Sequence, residues 1–258
     1  MDRKKLLDCF SVMDLTTLHS DDTATSVRSL VEKVNGLAEA YPSYPMPASI
    51  CVYPNFASVV AAHRASSQLH ATVVSACFPS SQSFLEVKVK ECEMAVSKGA
   101  DEVDIVLSLN SFLDGDFETA AAEIKAVRRA VGGRILKVIL ETGLLKTDDN
   151  IEKASFLAME SGADFIKTST GKVEVNATPH FAEVMCGCIR KYYEETGRKV
   201  GFKAAGGISK AADALEYYDI AGTVLGSDWQ NKDLFRLGVS RLGNSLMSEI
   251  EGRDIVYF

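Results

Sequence analysis

The sequence predicts a closed (β/α)8 TIM barrel in the α/β class, on three observations. Short β-branched runs alternate along the chain with longer segments of helical period, with Gly, Asp, Asn or Pro at the joins. Eight such βα units fit in the 258 residues, a number that suits a closed parallel barrel better than a doubly wound sheet. No Pro/Gly/Ser-rich linker, charge block or low-complexity tract marks a boundary, so residues 1–258 are expected to form a single domain.

The strands are expected, in order, at Val12 to Thr16, Ser49 to Tyr53, Thr72 to Ala76, Glu102 to Leu107, Ile135 to Glu141, Phe165 to Thr168, Val200 to Lys203 and Thr223 to Leu225. The connecting segments are amphipathic. Leu85, Val89, Cys92 and Val96 recur at three- or four-residue steps, as do Phe117, Ala120, Ala121, Ile124, Val127 and Val131. Glu86 to Lys90 alternates like a strand when taken alone. The helical spacing around it and the stop at Gly99 favour a helix.

Composition limits the function. Hydrophobic residues at 47% and charged residues at 24% are the balance of a globular protein with a large core, which excludes disorder as the dominant state. Lys+Arg 28 against Asp+Glu 35 gives a net charge of -7, which argues against nucleic-acid and membrane-surface partners. No apolar run approaches the roughly 18 residues of a membrane span. The N-terminal apolar patch is broken by Asp8 and Asp14, unlike a signal peptide, so a cytoplasmic location is expected. Cys9, Cys51, Cys77, Cys92, Cys186 and Cys188 have neither metal-knuckle nor redox spacing and are read as reduced thiols. The histidines His19, His63, His70 and His180 make no ligand pair, so no metal site is expected.

Parallel barrel strands are buried on both faces, so a charge within one is costly unless it has a task or sits at a strand end and reaches water. Asp104, Lys137, Lys167 and Lys203 are four such charges. An internal echo sharpens the pattern: Lys98-Gly99-Ala100-Asp101 and Glu160-Ser161-Gly162-Ala163-Asp164 each close a helix and open a strand. In that register Asp104 and Lys167 both fall three residues after the shared Asp, on the fourth and sixth strands, whose inward side chains occupy one layer. Lys203 lies on the next strand. Two ammonium groups about 5 Å apart at an effective dielectric of about 20 repel by roughly 3 kcal/mol, or about two pK units. One lysine is then partly neutral, which is the condition for a nucleophilic amine. With a carboxylate to carry protons, the set suggests Schiff-base chemistry.

Glycine-rich turns follow the late strands: Ser169-Thr170-Gly171-Lys172, Ala205-Gly206-Gly207-Ile208-Ser209 and Gly226-Ser227-Asp228, with Gly238-Val239-Ser240-Arg241 opening a short helix. They can be ordinary tight βα turns, or they can supply the bare backbone N–H groups with which barrels bind phosphate.

Over essentially its whole length the chain resembles the deoxyribose-phosphate aldolase family of metal-independent class I aldolases. The likeness is carried by Met13-Asp14-Leu15-Thr16-Thr17-Leu18, Cys51-Val52-Tyr53-Pro54, Gly99 to Asp104, Leu136 to Gly143, Gly162 to Thr178 and Gly201 to Gly207, with the most specific block at Asp164 to Lys172. The resemblance implies that Lys167 forms the Schiff base, Lys203 lowers its pKa and Asp104 moves protons. It further implies that Asp14, Thr16 and Lys172 hold sugar hydroxyls. Thr170, Gly171, Gly206, Gly207, Gly238 and Ser240 would surround the 5-phosphate, and Arg241 beside them either strengthens that binding or points to solvent. The implied reaction cleaves 2-deoxy-D-ribose 5-phosphate reversibly to acetaldehyde and D-glyceraldehyde 3-phosphate, a step of deoxyribonucleotide catabolism. It uses no external cofactor and takes only small phosphosugar and aldehyde partners. A homodimer is also suggested.

Three positions depart from the family pattern. Ala204 stands where a proline is expected, Arg241 where a second serine is usual, and Tyr257 precedes a terminal Phe258 where the tail often ends in tyrosine. A transaldolase-like Schiff-base barrel would share the lysine and phosphate logic without both lysine blocks and the first-strand aspartate. A non-catalytic phosphosugar-binding barrel would keep its ligand without Lys167.

Overall fold

The computed structural model describes all 258 residues. A helix, α1 (Arg3–Ser11), precedes β1 (Met13–Thr16). The chain continues through α2 (Ala24–Ala40), β2 (Ser49–Val52), α3 (Ala57–His63), β3 (His70–Val74), α4 (Leu85–Ser97) and β4 (Glu102–Val106). After the short α5 (Leu109–Leu113) come α6 (Phe117–Val131), β5 (Ile135–Ile139), α7 (Thr142–Leu145), α8 (Asp148–Glu160) and β6 (Phe165–Lys167). The last units are α9 (Pro179–Thr196), β7 (Gly201–Ala205), α10 (Ala211–Leu225), β8 (Phe235–Val239) and α11 (Leu242–Glu251). The eight strands pair in sequence order and β8 returns to β1, so the sheet closes as an all-parallel barrel. No helix is long and apolar enough to cross a membrane, and none of the six cysteines is bridged.

The helices form where side chains can satisfy the free N–H groups of the first turn and one stripe is apolar. Thr23 and Ser26 make a reciprocal cap on α2, and Thr178 accepts from Phe181 N at the start of α9, where Pro179 needs no partner. α6 buries Ala120, Ile124, Val127 and Val131, the stripe its spacing predicts. These stripes and the outward strand residues make the main core of 63 buried residues, and Leu18, Cys51 and Val74 form a small separate cluster.

Seven strands lie within about two residues of their expected bounds; the eighth does not. Thr223 to Leu225 is the last turn of α10, and β8 lies ten residues on. Val224 and Leu225 continue the stripe of Ala214, Tyr217, Tyr218 and Ala221 while Thr223 is exposed, and the helix stops at Gly226 with φ +95°. Arg236 and Gly238 dilute the apolar signature of the true strand. The Gly226-Ser227-Asp228 turn therefore follows a helix rather than a strand, and Trp229 ties it to the barrel by donating to Val200 O at 2.9 Å. Gly238 and Val239 belong to β8, and α11 starts at Leu242.

The internal echo is geometric. Gly99 and Gly162 take nearly the same backbone angle, φ +101° and +102°. Asp101 Oδ2 accepts from Ala71 N at 2.9 Å and pairs with Arg64; Asp164 Oδ2 accepts from Leu136 N at 2.8 Å and from Arg128 at 2.6 Å. Each aspartate ties the start of its strand to the strand before, which fixes the register three residues on, at Asp104 and Lys167.

Candidate active site

β6 and β7 bring Lys167 and Lys203 directly opposite each other. Gly201 permits this pairing, because a Cβ there would lie 2.3 Å from the Phe165 ring. Gly238 on β8 leaves room for the Lys203 side chain, whose Cε would be 3.0 Å from an added Cβ. Both amines converge on one oxygen: Asp104 Oδ2 accepts from Lys167 Nζ at 2.9 Å and from Lys203 Nζ at 2.8 Å. Asp104 Oδ1 takes Lys137 Nζ at 2.9 Å.

Below this layer lies a second. Lys137 also pairs with Glu102, and Lys203 with Asp14. Arg236 from β8 bridges Glu102 (2.7 Å) and Asp14 (2.5 Å). Ser49 donates to Asp14, and Thr72 to Glu102 and not to solvent. Asp14, Glu102, Asp104, Lys137 and Lys203 are all 0% exposed.

The protonation states follow from this packing. Burial opposes every charge, yet Lys203, Arg236 and Lys137 around Asp14, and Lys137, Lys167 and Lys203 around Asp104, hold both carboxyls far below the usual carboxylate range. Burial is likewise outweighed at Lys203, whose ammonium is held well above the ordinary lysine value by Asp104 and Asp14, and at Lys137 by Asp104 and Glu102. Lys167 goes the other way: burial, reinforced by the Lys203 charge, lowers its pKa because its only carboxylate partner is shared.

Of these amines only Lys167 borders the cavity at the C-terminal mouth of the barrel, about 250 Å3 in volume. Thr16, Thr170, Gly171, Lys172, Gly206, Gly207, Gly238, Ser240 and Arg241 line it as the sequence leads one to expect. Asp14 does not. Its carboxylate is spent on Lys203, Arg236 and Ser49 beneath the cavity floor, so it supports an amine instead of facing a sugar hydroxyl. Gly171, Gly206 and Gly207 all have positive φ, which turns their backbone into the mouth. Lys172 Nζ donates to Leu18 O at 2.8 Å and closes one wall.

Three participants escape the sequence reading. Arg236 sits in the misplaced strand, and Glu102 reads as a strand edge. Glu141 is the third: at φ +58° and ψ 59° it is a left-handed residue that is not glycine, and such strain gathers at functional sites. Its carboxylate accepts from Thr170 Oγ1 at 2.5 Å and Thr170 N at 3.1 Å, and Thr170 Oγ1 accepts from Lys172 N at 3.0 Å. Burial raises the Glu141 pKa. The tail keeps away from the amines: Tyr257 donates to Lys33 O on α2, and Phe258 borders a neighbouring cavity that shares Ser240 and Arg241 with the first.

A model of the DeoC/LacD family of aldolases matches residues 9–228. The chain belongs to this family. The aldolase is 46% identical over 232 residues to a relative from Caenorhabditis elegans, spanning 89% of this chain and 76% of that protein. It is 40% identical over 256 residues to the Homo sapiens deoxyribose-phosphate aldolase, with 95% and 79% covered. The solved deoxyribose phosphate aldolase of Aeropyrum pernix, described as tetrameric, superposes with a TM-score of 0.72 at 26% identity, covering 95% of this aldolase and 92% of that chain.

Proposed function

We propose that this aldolase cleaves 2-deoxy-D-ribose 5-phosphate reversibly to acetaldehyde and D-glyceraldehyde 3-phosphate, with Lys167 as the Schiff-base lysine. The carrying observation is that Lys167 is the one amine of the buried cluster that borders the cavity, and the one whose pKa is depressed. Neutral Lys167 adds to the open-chain aldehyde, and loss of water leaves an iminium. The C3 hydroxyl then gives up its proton, the C2–C3 bond breaks, and the electron pair moves into the iminium to form an enamine while glyceraldehyde 3-phosphate departs. Protonation of the enamine carbon and hydrolysis release acetaldehyde and restore the amine. The iminium is the electron sink, so the cycle calls for no external cofactor. Asp104, through a water, moves the protons, and Lys203 remains a cation throughout.

The 5-phosphate is assigned to the mouth, held by the N–H groups around Gly171, Gly206, Gly207 and Ser240 and by Arg241, whose guanidinium makes no ion pair within the protein. Thr16 and Lys172 are assigned to the sugar hydroxyls. We take residues 1–258 as one domain acting in the cytoplasm as a homodimer, in deoxyribonucleotide breakdown. Borohydride reduction with substrate, intact mass and peptide mapping test the central assignment. An adduct on Lys167 is expected; one on Lys203 would exchange the two roles, and no adduct would leave a binding protein.

A further inference from the structure

The lower ion layer is buried as completely as the upper one, yet the reaction uses none of it. Arg236, 1% exposed, meets Glu102 at two points, Nη2 to Oε1 at 2.7 Å and Nη1 to Oε2 at 3.1 Å. Its Nη1 also reaches Asp14 Oδ1. Arg236 lies beside Lys203 in the ladder, and Glu102 two residues before Asp104. His70 and Thr72 hold the other edges of the Glu102 carboxylate from β3.

The charges can be counted. Asp14, Glu102 and Asp104 give three negative charges, and Lys137, Lys203 and Arg236 give three positive ones. Lys167 is a fourth cation with no carboxylate of its own. A desolvated cluster favours neutrality, so the surplus proton is the one most easily lost. The groups facing Lys167 are Asp104 from β4, Lys203 from β7, the Cys51 thiol from β2 and Glu141 after β5. Glu102 and Arg236 make no ion pair with Lys167; they pair with Lys137 and Asp14, which in turn hold Asp104 and Lys203.

We propose that Glu102 and Arg236 are positioning residues that set the protonation of Lys167 by fixing the charge count of the ion cluster beneath it. The proposal rests on Lys167 being the reactive amine. A plain structural staple would lose stability when cut from either side, with no sign to the effect on titration. A charge count has a sign.

The test is the pH dependence of borohydride trapping with acetaldehyde, with the adduct first mapped in the unaltered protein. Glu102→Gln removes a negative charge, makes Lys167 easier to deprotonate and moves the rising limb to lower pH by about one unit. Arg236→Gln moves it to higher pH by a similar amount, and Arg236→Lys restores it. The double variant Glu102→Gln with Arg236→Gln keeps the count, so its limb should coincide with that of the unaltered protein, and it stands in if a single variant does not fold. Limbs that move the same way, stay fixed in the singles, or shift in the double variant overturn the proposal. An adduct mapping away from Lys167 in the unaltered protein would overturn the site assignment instead.

Discussion

Asp104 serves three lysines with two oxygens, so the residue proposed to carry protons beside Lys167 is also the keystone of a buried ion cluster. Asp104→Asn keeps the shape and removes the charge, leaving surplus ammonium groups in the barrel. Loss of turnover is expected together with destabilisation of about 3 kcal/mol, seen in denaturant unfolding. Lys203→Leu deletes the cation beside Lys167. The Lys167 pKa then rises, less neutral amine is present at a given pH, and the rising limb of kcat/KM moves to higher pH. A fixed limb with only weaker substrate binding would make Lys203 a binding residue. Lys167, Lys203 and Asp104 were legible because a charge inside a two-sided apolar strand is anomalous on sight. Arg236 was not, because its charge concealed the strand around it. The position of Asp14 was legible through its motif, but its task depends on partners from β2, β7 and β8 that no local pattern displays.

The βα loops divide the work at the mouth, and their glycines are not equivalent. A Cβ on Gly206 would meet Asn176 at 2.7 Å, whereas Gly207 has nothing within 4 Å. Gly206 is thus needed for loop packing. Gly207 faces open space where the phosphate is assigned, and its φ of +83° disfavours any side chain. Gly207→Val should raise KM for deoxyribose 5-phosphate by about tenfold or more, roughly 1.4 kcal/mol, and change that for unphosphorylated deoxyribose much less. Equal losses on both sugars would move the phosphate elsewhere. The β6 loop depends on Glu141, whose grip on Thr170 orders Lys172 in turn. Glu141→Ala should therefore weaken substrate binding more than it slows a saturated enzyme, read as a KM rise larger than the kcat loss. The turns after β6 and β7 were legible from Gly and Ser alone. The strained Glu141 was not, since nothing in Leu140-Glu141-Thr142-Gly143 announces a left-handed residue held by a loop 29 positions away.

Across the whole barrel, function and stability pull on the cluster in opposite directions. Asp14, Asp104 and Glu102 have depressed pKa values, so their contribution is full above the ordinary carboxylate range near 4 and is lost as pH falls through their lower folded values. Lys203 and Lys137 have raised values, so theirs is full below the ordinary lysine value near 10.4 and is lost as pH climbs through their folded values. Lys167 has the opposite sign to the other lysines. Its folded pKa is depressed, so below that value the native state carries a proton it holds poorly. Between the folded value and about 10.4 the unfolded chain binds more protons, and stability rises with pH. Lys167→Met, close in volume and uncharged, should abolish turnover and raise the stability of the fold at neutral pH, and this gain should shrink as pH approaches 10. Lys203→Met should lower stability at neutral pH by about 3 kcal/mol, because Asp14 and Asp104 lose a shared cation. Denaturant midpoints of the two variants between pH 6 and 10 provide the check. A Lys167→Met protein less stable than the parent at neutral pH would mean that its proton is held as firmly as that of Lys203, and the amine would then lack the neutral form that an attack on an aldehyde requires.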